Sequence, residues 1–215
     1  MQNKVLSKSF LWMMLGLLVT FVTGYFVSNN EMMLYNIFTN SFYIIFIIVE
    51  LALAVFLSTR IFKMQTNTAR VCFILYSFIS GLTFSSIFAV YNISSILYIF
   101  LITAFVFGIM SLLGYTTKMD LTKIGSYFII GIFAVIIISI INILLLKSTS
   151  LELLISIIMI VLFLGVTAYD VQKIKRLENS GLPEENLAIY GALQFYLDFI
   201  NIFIDLLRLF GRSRD

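Results

Sequence analysis

Long apolar runs alternate with short polar interruptions along the whole chain, placing spans near residues 10–28, 34–60, 70–91, 94–115, 124–146, 150–174 and 187–210. Each run suits a membrane-crossing helix, which needs about 20 apolar residues. The interruptions read as short loops: Ser28-Asn29-Asn30-Glu31, Lys63 to Thr68, Asn92, Lys118 to Lys123, Lys147 to Ser150, and Glu178 to Asn186 with the single proline, Pro183. The runs are continuous, without the polar and apolar alternation of a barrel strand, so a transmembrane β-barrel is disfavoured. The first run follows Lys4 and Lys8, exceeds a signal-peptide core and lacks a small-residue cleavage site, so it is expected to persist as span one. The pattern predicts an all-α integral membrane protein, a single seven-helix transmembrane domain over residues 1–215.

Composition narrows the chemistry. Of 215 residues, 61% are hydrophobic and only 12% charged, against roughly 25% charged in soluble domains. Histidine is absent and Cys72 is the one cysteine, which excludes an intramolecular disulfide, multi-cysteine metal motifs and histidine general-base catalysis. A net charge of +3 spread over loops reads as topology, with no nucleic-acid partner. Gly16, Gly24, Gly108 and Gly114 read as places where helices approach closely. Aromatic residues near span ends, such as Phe21, Tyr25 and Phe26, read as interface belt and packing.

Basic residues near span ends are retained in the cytoplasm. One set of alternate loops and ends carries Lys4, Lys8, Arg60, Lys63, Arg70, Lys118, Lys123, Lys173, Lys175 and Arg176, while the opposite loops carry only Lys147. The amino terminus is therefore expected in the cytoplasm. Seven crossings would leave Arg208, Arg212 and Arg214 outside against this rule, so span seven either crosses despite its tail or re-enters; its length favours crossing.

Ionisable residues inside spans are costly in hydrocarbon and usually face the bundle interior, a partner or water. They are Glu50 and Arg60 in span two, Asp170 near the end of span six, and Asp198, Asp205 and Arg208 in span seven, with Glu152 at the outer edge of span six. Counted at about 100° per residue, Gln194, Asn201, Asp205 and Arg208 all fall within about 80° of Asp198. Such a stripe places the C-terminal helix at the centre of the bundle. Gln194 and Asn201 are explained by hydrogen bonds to neighbouring helices; two aspartates are not. Arg60 and Asp170 both lie near the cytoplasmic ends of their spans, a common depth that makes them natural ion-pair partners.

These residues carry a resemblance. Span seven reads Ala192-Leu193-Gln194-Phe195-Tyr196-Leu197-Asp198-Phe199-Ile200-Asn201-Ile202-Phe203, followed by Leu206-Leu207-Arg208-Leu209-Phe210-Gly211. Span six ends in Ala168-Tyr169-Asp170-Val171-Gln172-Lys173-Ile174, and Gly114-Tyr115-Thr116-Thr117-Lys118-Met119-Asp120-Leu121 with Gly125 follows span four. Together they resemble the transmembrane Bax inhibitor motif family over nearly the whole chain. Ser80-Gly81-Leu82-Thr83-Phe84-Ser85-Ser86 is similar to its glycine-containing segment, with Ser86 where a proline is common. The resemblance implies a bacterial plasma-membrane protein that leaks calcium in a pH-sensitive manner. It implies that Asp170 and Asp198 sense pH and touch calcium transiently, that Arg60 is the latch, and that Glu50 lies on the ion pathway, which the polar stripe extends to Asn201 and Asp205.

Calcium takes six to eight oxygens, which two carboxylates, Asn201, Glu50, carbonyls and water can supply loosely enough for the ion to leave. The expected partners are the lipid bilayer and calcium ions, calcium being cargo and no cofactor being expected. Two carboxylates at close range share a proton, which implies a steep response between about pH 6 and pH 8. Protonation weakens the latch and also the cation site, so the net sign stays open. No enzymatic activity is expected. An intramembrane aspartyl protease also uses two aspartates, but Phe195-Tyr196-Leu197-Asp198 lacks the glycines flanking the second one there. A retinal protein is excluded because span seven has no lysine. A proton-coupled cation transporter, whose carboxylates exchange protons for cations, is the alternative.

Overall fold

The computed structural model describes residues 4–39 and 42–214, and these are almost entirely helical. The helices are α1 (Lys4–Ser28), α2 (Glu31–Thr39), α3 (Phe42–Arg60), α4 (Thr66–Val90), α5 (Ile93–Thr116), α6 (Thr122–Ile141), α7 (Thr149–Leu177) and α8 (Glu184–Phe210). All but α2 have the length and apolarity to cross a membrane, α3 counted with the single 3-10 turn Ile61–Lys63 that extends it and α6 with the π turn Asn142–Leu146. In hydrocarbon a helix satisfies its own backbone N–H and C=O groups, so an apolar run of this length has no cheaper conformation.

Two boundaries differ from expectation. The run expected as one span near 34–60 contains α2 and a separate crossing helix that starts at Phe42. The intervening Asn40 and Ser41 lie outside the described residues, and α2 ends in Thr39, a residue type that competes for backbone hydrogen bonds and favours helix ends. The last span starts at Glu184 rather than near 187, because Pro183 precedes a first turn carrying Glu184 and Glu185, which complement the helix dipole.

The helices form two compact units, Met1–Ile93 with Arg176–Tyr196 and Ser213–Asp215, and Ser94–Lys175 with Leu197–Arg212. In the first unit α1 and α4 meet through small residues. A Cβ on Gly16 would lie 2.9 Å from Phe73 and Ser77, one on Gly24 2.9 Å from Phe88, and one on Gly81 2.9 Å from the Thr20 carbonyl oxygen. This is how helices associate where lipid and side chain are equally apolar: bare backbone permits close approach.

One end of this unit is ionic. Lys8 pairs with Glu184 at 2.7 Å and with Glu185, and Arg70 pairs with Glu185 at 2.8 Å. Asn186, almost wholly buried, donates to the carbonyls of Ile61 at 2.6 Å and Met64 at 2.9 Å and accepts from Thr66 at 2.8 Å. The starts of α1, α4 and α8 and the end of α3 therefore share one end. At the other end of α4, roughly 36 Å away by helical rise, the backbone N–H of Arg214 donates to the Val90 carbonyl and Ser213 bridges Tyr91. The tail lies at the end opposite Lys8, so α8 crosses.

In the second unit the turn between α6 and α7 is closed by Asn142. Its side chain accepts from the N–H of Ser148 at 3.0 Å and donates to the Ser148 carbonyl at 3.1 Å, while Lys147 takes a left-handed backbone (φ 49°). The tightest helix contacts also occur here. A Cβ on Gly114 would fall 2.2 Å from the Ala168 carbonyl oxygen, one on Gly125 2.3 Å from the Tyr169 ring, and one on Gly165 2.2 Å from the Phe128 ring. Gly108, expected to play the same part as Gly114, faces nothing within 4 Å.

Because the tail meets the far end of α4, reporters fused at the two termini are expected on opposite sides of the membrane. Accessibility of both to the same impermeant reagent would show that α8 re-enters.

Candidate functional site

Asp170 and Asp198 both belong to the second unit, 4% and 3% exposed. They stand close enough for their charges to interact. α7 is held against α5 and α6 at the residues immediately before Asp170, Ala168 against Gly114 and Tyr169 against Gly125. With those neighbours seated on bare backbone, Asp170, about 100° further around the helix from Tyr169, faces α8.

The next turn of α7 fixes the preceding loop. Gln172 accepts from the N–H of Leu121 at 2.9 Å and donates to the Met119 carbonyl at 2.7 Å. Lys175 donates to the Tyr115 carbonyl at 2.9 Å, its ammonium 4.3 Å from the Tyr115 ring centre. The sequence stretches Gly114 to Leu121 and Ala168 to Ile174 thus interlock, and the interlock positions the aspartate pair.

Two neighbours of the pair escaped sequence reading. Thr167 lies within hydrogen-bonding reach of the Asp198 carboxylate, and the Lys173 charge acts on both aspartates. Their signal was in the chain: Thr167 and Lys173 flank Asp170 at i−3 and i+3, the spacing of one helix face. One oxygen of Asp198, Oδ2, is buried without a hydrogen-bond partner. Such a group carries a desolvation cost of about 1–3 kcal/mol. Next to Asp198 in the chain, Phe199 packs on Phe100 and Phe107 of α5 at ring-centre separations of 5.0 and 5.7 Å.

The remaining expected residues are distributed differently. Asn201 donates to the Leu197 carbonyl of its own helix at 2.7 Å. Asp205, 5% exposed, accepts from Arg208 at 3.1 Å; Arg208 also donates to Ser156 at 3.1 Å and pairs with Glu152 at 3.3 Å. Arg208 is therefore an internal counter-ion to two carboxylates. Glu50 and Arg60 belong to the first unit, ten residues apart on α3. Arg60 is exposed in the last turn, and Glu50 accepts from Thr83 Oγ1 at 2.8 Å. Among the described residues, no three His, Cys, Asp or Glu side chains converge as a metal cage.

The glycine contacts give a matched pair of variants. Gly114→Ala forces a methyl into a fixed backbone carbonyl and is expected to destabilise by about 1–3 kcal/mol. Gly108→Ala gains helix propensity and is expected to be neutral or stabilising by up to about 1 kcal/mol. Unfolding in detergent measures both, and equal effects would remove the claim that Gly114 sets the α5–α7 distance.

Comparison with known proteins accords with the interlocked motifs. The family described as Inhibitor of apoptosis-promoting Bax1 matches residues 2–215. An uncharacterised protein of Borreliella burgdorferi is 42% identical over 219 residues, covering 100% of this chain and 94% of that protein. The inner membrane protein YbhL of Escherichia coli K12 is 41% identical over 211 residues, covering 94% and 89%. An uncharacterised membrane protein of Streptococcus pyogenes serotype M1 is 37% identical over 168 residues, covering 77% and 72%. With the match extending over the whole helical framework and both aspartate-bearing segments, the chain is a multi-pass membrane protein of the Bax inhibitor family.

Proposed function

We propose that this protein is a pH-sensitive calcium-leak channel in which Asp170 and Asp198 form the proton sensor. The observation that carries the reading is the burial of two interacting carboxylates, one with an oxygen that has no hydrogen-bond partner. Carboxylates so placed cannot both ionise cheaply, and a shared proton relieves the cost by giving one of them a donor. Losing that proton creates a site of concentrated negative charge with oxygens available to a hard divalent cation, the remaining ligands coming from carbonyls and water. Taking it up removes charge and cation affinity together. Proton and cation thus compete for the same oxygens.

The stripe of polar and ionisable residues along α8 supports placing that helix at the heart of the bundle. The surplus of basic residues at one end supports a cytoplasmic amino terminus. The likeness to YbhL, an inner membrane protein of Escherichia coli, supports a bacterial plasma membrane. Arg60 is assigned as the latch on the family likeness, and Asn201 and Asp205 as pathway residues on their place along the α8 stripe.

Two experiments test the reading. In liposomes, calcium flux is expected to vary steeply with pH, and Asp170→Asn and Asp198→Asn are each expected to flatten the profile, since an amide keeps the shape and loses the titration. Profiles unchanged in both variants would eliminate the sensor. Arg60→Ala is expected to raise basal leak well above Lys63→Ala at matched reconstitution. Equal leak from the two would remove the latch.

A further inference from the structure

The first unit contains a buried polar cluster separate from the aspartate pair. Glu50 of α3 accepts from Thr83 Oγ1 of α4 at 2.8 Å and stands within hydrogen-bonding reach of Ser80. Ser80 Oγ is 2.8 Å from the Tyr196 hydroxyl of α8, which is 2.7 Å from Thr20 Oγ1 of α1. Thr20 Oγ1 lies 2.9 Å from the Ser77 carbonyl oxygen, and Thr83 Oγ1 lies 2.8 Å from the Ser80 carbonyl oxygen. Ser80 and Tyr196 are completely buried, and Thr20 is 2% exposed. The Tyr196 ring is wedged edge-on against Phe73 and Tyr76, at 6.3 and 5.4 Å between ring centres, so its hydroxyl cannot swing away.

We propose that Glu50, Ser80, Tyr196 and Thr20 form a second proton-binding site, a hydroxyl chain whose hydrogen bonds reverse direction when Glu50 takes up a proton. Each hydroxyl has one hydrogen to donate. With Glu50 ionised, Ser80 and Thr83 donate to the carboxylate, Tyr196 donates to Ser80, and Thr20 donates to Tyr196. The carbonyls of Ser77 and Ser80 then receive no hydroxyl donor.

With a proton from water on Glu50, the carboxyl donates to Ser80, Ser80 to Tyr196, Tyr196 to Thr20, and Thr20 to the Ser77 carbonyl. Thr83 is released to donate to the Ser80 carbonyl. Uptake of one proton on α3 thereby adds a hydrogen bond from α1 to the α4 backbone. The cluster suits a proton better than a divalent cation, because it holds a single carboxylate and its hydroxyls are already bonded to one another. The titratable groups facing Glu50 are Tyr76 of α4 and Tyr196 of α8. Among the described residues no Lys or Arg pairs with it, so no counter-ion locks it in the ionised state.

Infrared difference spectra of the full chain in liposomes, titrated from about pH 9 to about pH 4 to bracket carboxyl ionisation, test this directly. Protonation is expected to produce a carboxylic C=O band together with a shift of a tyrosine C–O band, at one midpoint. Glu50→Gln should lose the tyrosine shift and the carboxyl component that shares its midpoint, leaving the aspartate component, and Tyr196→Phe should lose only the tyrosine shift. Asp170→Asn and Asp198→Asn should keep both, which separates this site from the aspartate sensor. A tyrosine shift that is absent from the unaltered protein, has a different midpoint from the carboxyl band, survives Glu50→Gln, or disappears with Asp170→Asn would overturn the proposal. The coincidence of midpoints in the unaltered chain decides the matter even if a variant does not fold.

Discussion

Within a membrane span, a polar side chain has to be satisfied by the protein itself, because hydrocarbon offers it neither donor nor acceptor. The positions of the helices in each unit can be read as answers to that constraint. Asn186 is an example: one buried amide collects a hydroxyl and two carbonyls from the turn after α3 and the start of α4, so the first turn of α8 has one available seat. Gln172 does the same for the loop between α5 and α6. These amides act as hubs because each supplies donors and an acceptor at the end of one short side chain.

The carboxyls within spans meet three different surroundings. Asp205 accepts from Arg208, which also pairs with Glu152. Half-buried Glu50 faces hydroxyls and, among the described residues, no Lys or Arg pairs with it. Asp170 and Asp198 have each other, with Thr167 and Lys173 nearby. The chemistry of each cluster therefore follows from what surrounds it more than from the residue type at its centre.

The arginines that follow the middle of α8 have separate settings. In the second unit Arg208 pairs with two carboxylates, Asp205 and Glu152. In the first unit the tail is tied to the end of α4 through the backbone N–H of Arg214.

The sequence alone determined the class of protein, the number of crossing helices and most of their boundaries, because apolar runs of about 20 residues report directly on the thickness of hydrocarbon. It also singled out the ionisable residues inside spans as candidates, since charges inside such runs are costly. That α2 ends at Thr39 and a separate helix starts at Phe42 was only weakly marked, because a few small polar residues amid apolar ones do not break a hydropathy pattern. Tertiary structure decided the partners. That Gly114 and not Gly108 meets a neighbouring helix, that Arg208 serves Asp205 and Glu152, and that Tyr196 joins Ser80 to Thr20 depend on the rotation and depth of helices far apart in the chain. Periodicity gives the face a residue occupies on its own helix; which helix lies against that face is settled only when the helices pack.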